Sequence, residues 1–322
     1  MLRKPTAFTL SFLVFLAIML TLPLSAVTQS PGTAEFDSRA ARPVTIPLTI
    51  KVKGDVAESE AELRVVDLTI TEDGEPQSIL SVRAFGTNSP ISLAVLIQDD
   101  VVSSISNEVA GLRQFVRKLP KGSRVMIGYV RAGSLQVRQR FTTDLERAAK
   151  ALRGPLGVAS AAPYNPYVEV IEALRRFDSQ PSGRRALLLV SDGLDTSHGL
   201  DSSSASQSLD LQRAINESQR RGVAVYAFYA PTVLAVGSSV LSGNAQSSLQ
   251  RLSDETGGQA FFQGTGVPVS FDPFIRNLNV ALERQVALTY LSTHLNKGFH
   301  RVQVRSSASG VELSYPTGYS RN

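Results

Sequence analysis

From residue 90 to about residue 283 the chain alternates short, almost wholly apolar runs with amphipathic stretches, and this rhythm restricts the fold more than any other feature. Residues 92–98 (SLAVLIQ) form a near-continuous apolar run, as required of a strand covered on both faces of a parallel sheet. Ile105, Val109, Leu112, Val116 and Leu119 then recur at helical spacing until Pro120 and Gly122 close the helix. Strands are expected at 124–130 and at 135–141. The second of these alternates apolar and polar residues and therefore suits an edge. A helix over 166–177 leads into ALLLVSDG (186–193), the most apolar strand of the chain. The cycle repeats with a helix carrying Leu211, Ala214, Ile215 and Ser218, stopped by Gly222, and the strand VAVYAFYA. It repeats again with Leu249, Leu252, the stop at Gly257-Gly258 and a strand at 259–262. Asp272-Pro273 has the composition of a helix start, with Asp as the cap and Pro at the first helical position. The expectation is an α/β fold, a doubly wound and mainly parallel sheet over 90–284 with helices on both faces.

The flanks have a different rhythm. Residues 44–52 alternate in the period of a half-buried strand, and 62–85 read as strands around a turn at Asp73-Gly74. Residues 285–291, 300–305 and 311–315 also read as strands. The N-terminal segment (42–89) and the C-terminal segment (285–322) are therefore expected to pair into a small accessory sheet. Ahead of them, residues 29–41 have linker composition. At the start, Arg3 and Lys4 precede an apolar run over 12–24, followed by small and polar residues, the layout of a secretory signal peptide covering 1–28. The run falls short of the roughly 20 residues a spanning helix needs, and Pro23 ends it, so no stable membrane span is expected after cleavage. The expected location is secreted or periplasmic. The chain has no cysteine, which excludes a disulfide framework and a lipid-modified cysteine anchor. A formal charge of +5, with basic and acidic residues interspersed, gives no nucleic-acid footprint.

In a doubly wound sheet, ligands sit beyond the carboxyl ends of the strands, where strand order reverses. Asp99 and Asp100 follow the first core strand and Asp192 follows the run ending at Val190. If the two strands are parallel neighbours, these carboxylates share one crevice. Together, the element order, the acidic and Ser-containing loop after the first strand, and the later VSDG resemble a von Willebrand factor A domain. The flanks TEDGEPQSILSVRAF and FHRVQVR…GVELSYPTGYSR resemble a bacterial group of von Willebrand factor A-related proteins.

The resemblance implies a metal held by a D-x-S-x-S loop, a Thr from a second loop and an Asp from a third. Oxygen donors of that kind suit Mg²⁺ or Mn²⁺. Asp192-Gly193 matches the third loop. In the first loop Asp99 is followed by Val101 where the first Ser belongs, and only Ser103 is retained; in the second, Tyr164 stands near the expected Thr. The adhesion site is thus degenerate. Asp99, Ser103 and Asp192 remain as vestigial ligands for a weakly held Mg²⁺ or Mn²⁺, while the plainer expectation is that the acids cap turns in a metal-free crevice with no cofactor.

Asp192, Asp195, His198 and Asp201 recur every third residue in a Ser-rich stretch (191–204), the composition of a solvated connection beside the crevice. Tyr164, Asn165 and Tyr167 fall on a loop at the same edge, where exposed tyrosines suit an interface anchor, although one ring packed over the sheet end is the alternative. The chain has no Cys nucleophile, Walker loop or G-x-S-x-G elbow. The reading that follows is a non-enzymatic module binding an unidentified protein partner, with Asp195 and His198 joining Tyr164, Asn165 and Tyr167 on the contact face. The enzymatic alternative is a metal-dependent phosphoesterase using Asp99, Asp192, Asp195 and His198 on a two-metal site.

Overall fold

The computed structural model describes residues 41–321 apart from 53–67, 86–87, 132, 158–164, 201–202 and 309. The expected leader and most of the linker lie outside the described residues, as do Tyr164 and Asp201. Three strands come first: β1 (Arg42–Val52), β2 (Leu68–Glu72) and β3 (Glu75–Ala84). The β2–β3 hairpin turns on Asp73 and Gly74 at φ 50° and 90°. Two consecutive left-handed residues match the right-handed twist of the flanking strands, and Asp-Gly supplies them at low steric cost.

The α/β part begins with β4 (Ser92–Gln98), whose seven residues are all buried, and α1 (Val109–Arg117). Next come β5 (Arg124–Arg131), β6 (Ser134–Thr142), α2 (Leu145–Ala151), α3 (Pro166–Arg175) and β7 (Arg185–Ser191). α4 (Leu209–Arg221) ends on Gly222 in the left-handed conformation that a residue without Cβ adopts most readily. β8 (Ala224–Tyr229), α5 (Val233–Val236), α6 (Ser239–Glu255), β9 (Ala260–Phe261) and α7 (Asp272–Glu283) complete this part. One boundary departs from expectation. Phe271, not Asp272, is the N-cap of α7; its side chain makes no capping bond, and the Phe271 N–H donates to Glu108 at 2.6 Å, which ties the helix start to the segment before α1. The chain closes with β10 (Gln285–Ser292), β11 (Gly298–Ser306), β12 (Val311–Ser314) and β13 (Gly318–Arg321).

The core sheet has the order β6-β5-β4-β7-β8-β9, parallel except for the antiparallel edge strand β6. Strand order therefore reverses between β4 and β7, which lie side by side and parallel with Ile97 opposite Val190. Two apolar clusters cover its faces. One joins β-strand residues such as Val95, Ile127 and Leu188 to Leu112, Ala148 and Leu278 of α1, α2 and α7. The other joins Leu96, Met126 and Leu187 to Val170, Leu211 and Leu249 of α3, α4 and α6.

The flanking strands do pair with one another, but their sheet is not small. It is antiparallel and seven-stranded, in the order β12-β1-β10-β3-β2-β11-β13, one strand wider than the core sheet. Its third apolar cluster, with Ile46, Leu48, Ile70, Leu288 and Val304, makes it a packed layer in its own right. The α/β part is inserted between β3 and β10, which are paired neighbours with Ala84 opposite Val286. The buried Arg184 clamps this junction, donating to Ser89 O at 3.1 Å, to Gln285 Oε1 at 3.2 Å and to Leu282 O.

Candidate functional site

The reversal between β4 and β7 opens a crevice at their carboxyl ends, and the two expected aspartates stand at its mouth. Asp99 is 3% exposed. Its carboxylate is gripped by the guanidinium fork of Arg153, Nη1 to Oδ1 at 2.6 Å and Nη2 to Oδ2 at 2.8 Å, and Oδ1 also accepts the N–H of Leu156 at 3.1 Å. Such a two-pronged contact is the strong geometry for Arg and carboxylate. Arg153 is itself fixed, because its guanidinium lies 3.9 Å from the ring centroid of Tyr129 and its backbone N–H donates to the Tyr129 hydroxyl at 2.6 Å. The Asp99 contact holds the guanidinium pKa above its ordinary value.

Asp192 is buried as well, 2% exposed. Its Oδ1 accepts Leu194 N–H at 3.1 Å and its Oδ2 accepts the Thr232 hydroxyl at 2.8 Å. Burial lifts its carboxyl to about 6, against the lowering effect of these bonds. Gln98, the last residue of β4, ties the two strand ends together. Its Oε1 accepts Asp192 N–H at 3.0 Å and the Ser191 hydroxyl, and its Nε2 donates to Asp100 Oδ1 at 2.9 Å.

The donor set does not fit a divalent ion. Both oxygens of Asp99 face a fixed internal cation, and both oxygens of Asp192 are used by protein donors. Val101, standing where the resemblance calls for a Ser, is fully buried in the core, and Ser103 is exposed at the start of a 3-10 turn (Ser103–Glu108). Among the described residues, no three of Asp99, Asp192, Asp195 and His198 bring ligand atoms within 4.8 Å of one another, so the two-metal arrangement is not assembled.

The proposed contact face also needs correction. Tyr167 is fully buried and donates its hydroxyl to Gly193 O at 2.6 Å, so it packs over the sheet end and is no surface anchor. Asn165 is turned inward too. It caps α3 by accepting Tyr167 N–H at 3.1 Å and donates to Asp210 at 2.7 Å. Asp195 is 5% exposed and organises its own loop, accepting Ser197 N–H at 3.1 Å and the Ser208 hydroxyl at 2.6 Å. Of the described contact-face candidates only His198 is exposed, with Nδ1 3.0 Å from the Ser197 hydroxyl.

Sequence reasoning missed Arg153, Gln98, Tyr129 and Thr232. Arg153 lies in a loop 54 residues from its partner, and no local pattern joins the two. Thr232 was within reach, since it follows β8 and so falls at the same end of the sheet. Its segment pairs with the first loop through the Val101–Thr232 bridge and the Val102 N–H to Pro231 O bond at 3.0 Å. Beyond Thr232 the rim is apolar and open, with Val233 71%, Leu234 48%, Val236 50% and Val240 70% exposed.

These features define a doubly wound α/β domain whose crevice carries one aspartate neutralised from within by Arg153, a second held by hydrogen bonds, and an apolar rim. Among solved structures the chain is similar to von Willebrand factor type A from Catenulispora acidiphila, at 13% identity and TM-score 0.42 over 86% of this chain and 73% of that one. It is also similar to the conserved hypothetical protein BatB from Bacteroides thetaiotaomicron, at 12% identity and TM-score 0.40 over 58% of this chain and 95% of that one. A third likeness is to an aerotolerance-related membrane protein from Bacteroides fragilis, at 14% identity and TM-score 0.40 over 59% and 98%. No protein-family model and no curated protein matches the chain. Among the described residues no helix is long and apolar enough to cross a membrane, and the apolar run at 12–24 lies outside them.

Proposed function

We propose that the chain is an exported, non-enzymatic recognition module of von Willebrand factor A type, binding a protein partner at the carboxyl end of its core sheet without a bridging metal. The observation that carries this reading is the exchange of roles at the crevice. An ion in such a crevice would offer an open coordination position to an acidic group of the partner, whereas here Arg153 neutralises Asp99 from within. The neighbouring rim instead offers Val233, Leu234, Val236 and Val240, four apolar side chains on one short segment. Exposed apolar side chains gathered on one segment, where they form a patch, mark interaction sites in soluble proteins. The rim is anchored through Thr232 to Asp192 and through Pro231 to Val102, so it is presented by the crevice itself.

The test is affinity capture from cell-envelope extract with the purified chain, with and without EDTA, beside a variant carrying Val233→Asp and Val236→Asp. Capture that persists in EDTA and is lost in the variant is the expected result. Capture that needs a divalent ion, or that the variant retains in full, overturns the reading. The phosphoesterase alternative is tested by turnover of a generic phosphoester with Mn²⁺, lost in Asp192→Ala.

A further inference from the structure

The second sheet gathers chemistry that the crevice reading does not use. Strands β10 and β11 flank the β3–β2 hairpin on its two sides, and their connecting segment must cross over the hairpin tip. That crossing brings His294 and His300 over Glu72, Asp73 and Glu75, residues more than 200 positions earlier in the chain. Glu72 is 0% exposed. One of its oxygens accepts the Tyr319 hydroxyl at 2.7 Å and the Ser292 hydroxyl at 3.1 Å, while Oε2, equally buried, has no hydrogen-bond partner. The atom facing it is Nδ1 of His294, 4.0 Å away, which also has no hydrogen-bond partner. On the other side, His300 Nδ1 lies 2.8 Å from Asp73 Oδ2 and 3.6 Å from Glu72 Oε1.

A buried carboxylate oxygen left bare is costly, and what answers it here is either a proton on His294 Nδ1 or a cation lying between the two atoms. We propose that this crossing is a site for a divalent ion of the zinc class, held by Glu72, Asp73 and His300, with His294, which stands outside that close set at 4.0 Å from Glu72 Oε2, moving in as the fourth donor. Ligand atoms of Glu72, Asp73 and His300 all lie within 4.8 Å of one another. Donors bound at about 2.0–2.2 Å to a common ion stand roughly 3–4 Å apart; two separations here, 3.6 and 4.0 Å, fall in that range, and the hydrogen-bonded pair His300 Nδ1 and Asp73 Oδ2, now 2.8 Å apart, would have to open to admit the ion. The outer contacts also suit the role. His300 Nε2 lies 2.8 Å from Asn296 O, and His294 Nε2 lies 3.5 Å from Glu75 Oε2, so each ring can give its Nε2 proton outward and turn Nδ1 toward the carboxylates. Such second contacts fix the tautomer of a metal-ligating histidine. Two imidazoles with two carboxylates favour Zn²⁺ over Ca²⁺, which takes six to eight oxygens. His294 keeps 20% of its side chain exposed and provides a solvent-facing edge for entry.

Isothermal titration of the chelator-treated chain with ZnCl₂, and Co²⁺ absorption as a probe of ligand type, test the site. One Zn²⁺ per chain is expected, with visible Co²⁺ bands of a nitrogen- and oxygen-ligated ion. His294→Ala should weaken binding by about tenfold or more while the metal-free melting temperature stays unchanged. Glu72→Gln should abolish binding, and Asp192→Asn should leave it intact. Absence of zinc binding by the unaltered chain, binding undiminished in His294→Ala, or binding lost in Asp192→Asn each overturns the assignment. The last result would move the ion to the crevice.

Discussion

If Arg153 stands in for a metal ion, removing its charge must strand Asp99. Arg153→Met keeps most of the apolar stem and deletes the two guanidinium contacts of 2.6 and 2.8 Å. Among the described residues, Asp99, at 3% exposure, then keeps only the Leu156 N–H for its side chain. Breaking one partner of a buried ion pair costs about 3–5 kcal/mol. The Arg153 side chain is 30% exposed, and water reaching it screens the pair, so the lower end, about 3 kcal/mol, is expected. For a chain of 322 residues that lowers the melting temperature by roughly 4–5 °C. The double variant Asp99→Asn, Arg153→Met removes both charges and should recover much of the loss, since it leaves no uncompensated ion. Calorimetric melting of the four proteins of the cycle measures the coupling directly. Mg²⁺ at millimolar concentration should raise the melting point of Arg153→Met, whose carboxylate is open, and leave that of the unaltered chain unmoved. A loss below about 1 kcal/mol, the range of ordinary surface pairs, or Mg²⁺ stabilisation of the unaltered chain, refutes the substitution of arginine for metal.

Two further outcomes follow from buried groups around the crevice. Glu169 of α3 is 1% exposed with neither carboxylate oxygen hydrogen-bonded, and burial lifts it from 4.5 to about 7. The folded chain therefore holds a proton there that the unfolded chain releases, and stability should fall by about 3 kcal/mol as pH rises from about 4.5 to 7. Urea midpoints measured across that range should show a shallower decline in Glu169→Gln, the remaining slope having the sign set by Asp192; an unchanged slope would place the proton elsewhere. Gly193 sits at φ +73°, and a Cβ there would lie 2.6 Å from Leu249 Cγ and 2.9 Å from Ala245 O. Gly193→Ala should therefore cost about 2 kcal/mol or more in a denaturant titration, and a loss under 0.5 kcal/mol would mean that α6 yields freely.

The alternation of the core was legible because each strand is buried on both faces and each helix on one, and periodicity records burial. The position of the crevice was legible for the same reason, since strand ends follow from strands. Its contents were not. Whether Asp99 meets an ion or an arginine depends on a loop whose fold no repeat announces. Tyr167 was misread although a signal existed: with Val170 and Leu174 it falls at helical spacing on the buried face of α3, and Asn165-Pro166 is an ordinary helix start. In the flanks, period-two alternation identified strands but not partners. Among the described residues β1 pairs with β10 and β12, more than 230 residues later, and β13 was not anticipated because its four residues carry too short a pattern.

The insertion of the α/β part between β3 and β10 has a mechanical consequence. The connection leaves β3 at Ala84 and returns to β10 at Gln285, the same end of one antiparallel pair. A pull applied at the crevice would load that pair at its tip, one rung at a time, once the second join of Ser314 and Thr317 to Gly258 and Glu255 had given way, where a sheet loaded from opposite ends would resist with all rungs together. Arg184, bonded across the root of the insertion to Ser89, Leu282 and Gln285, sits where such peeling would begin and acts as the stitch that delays it.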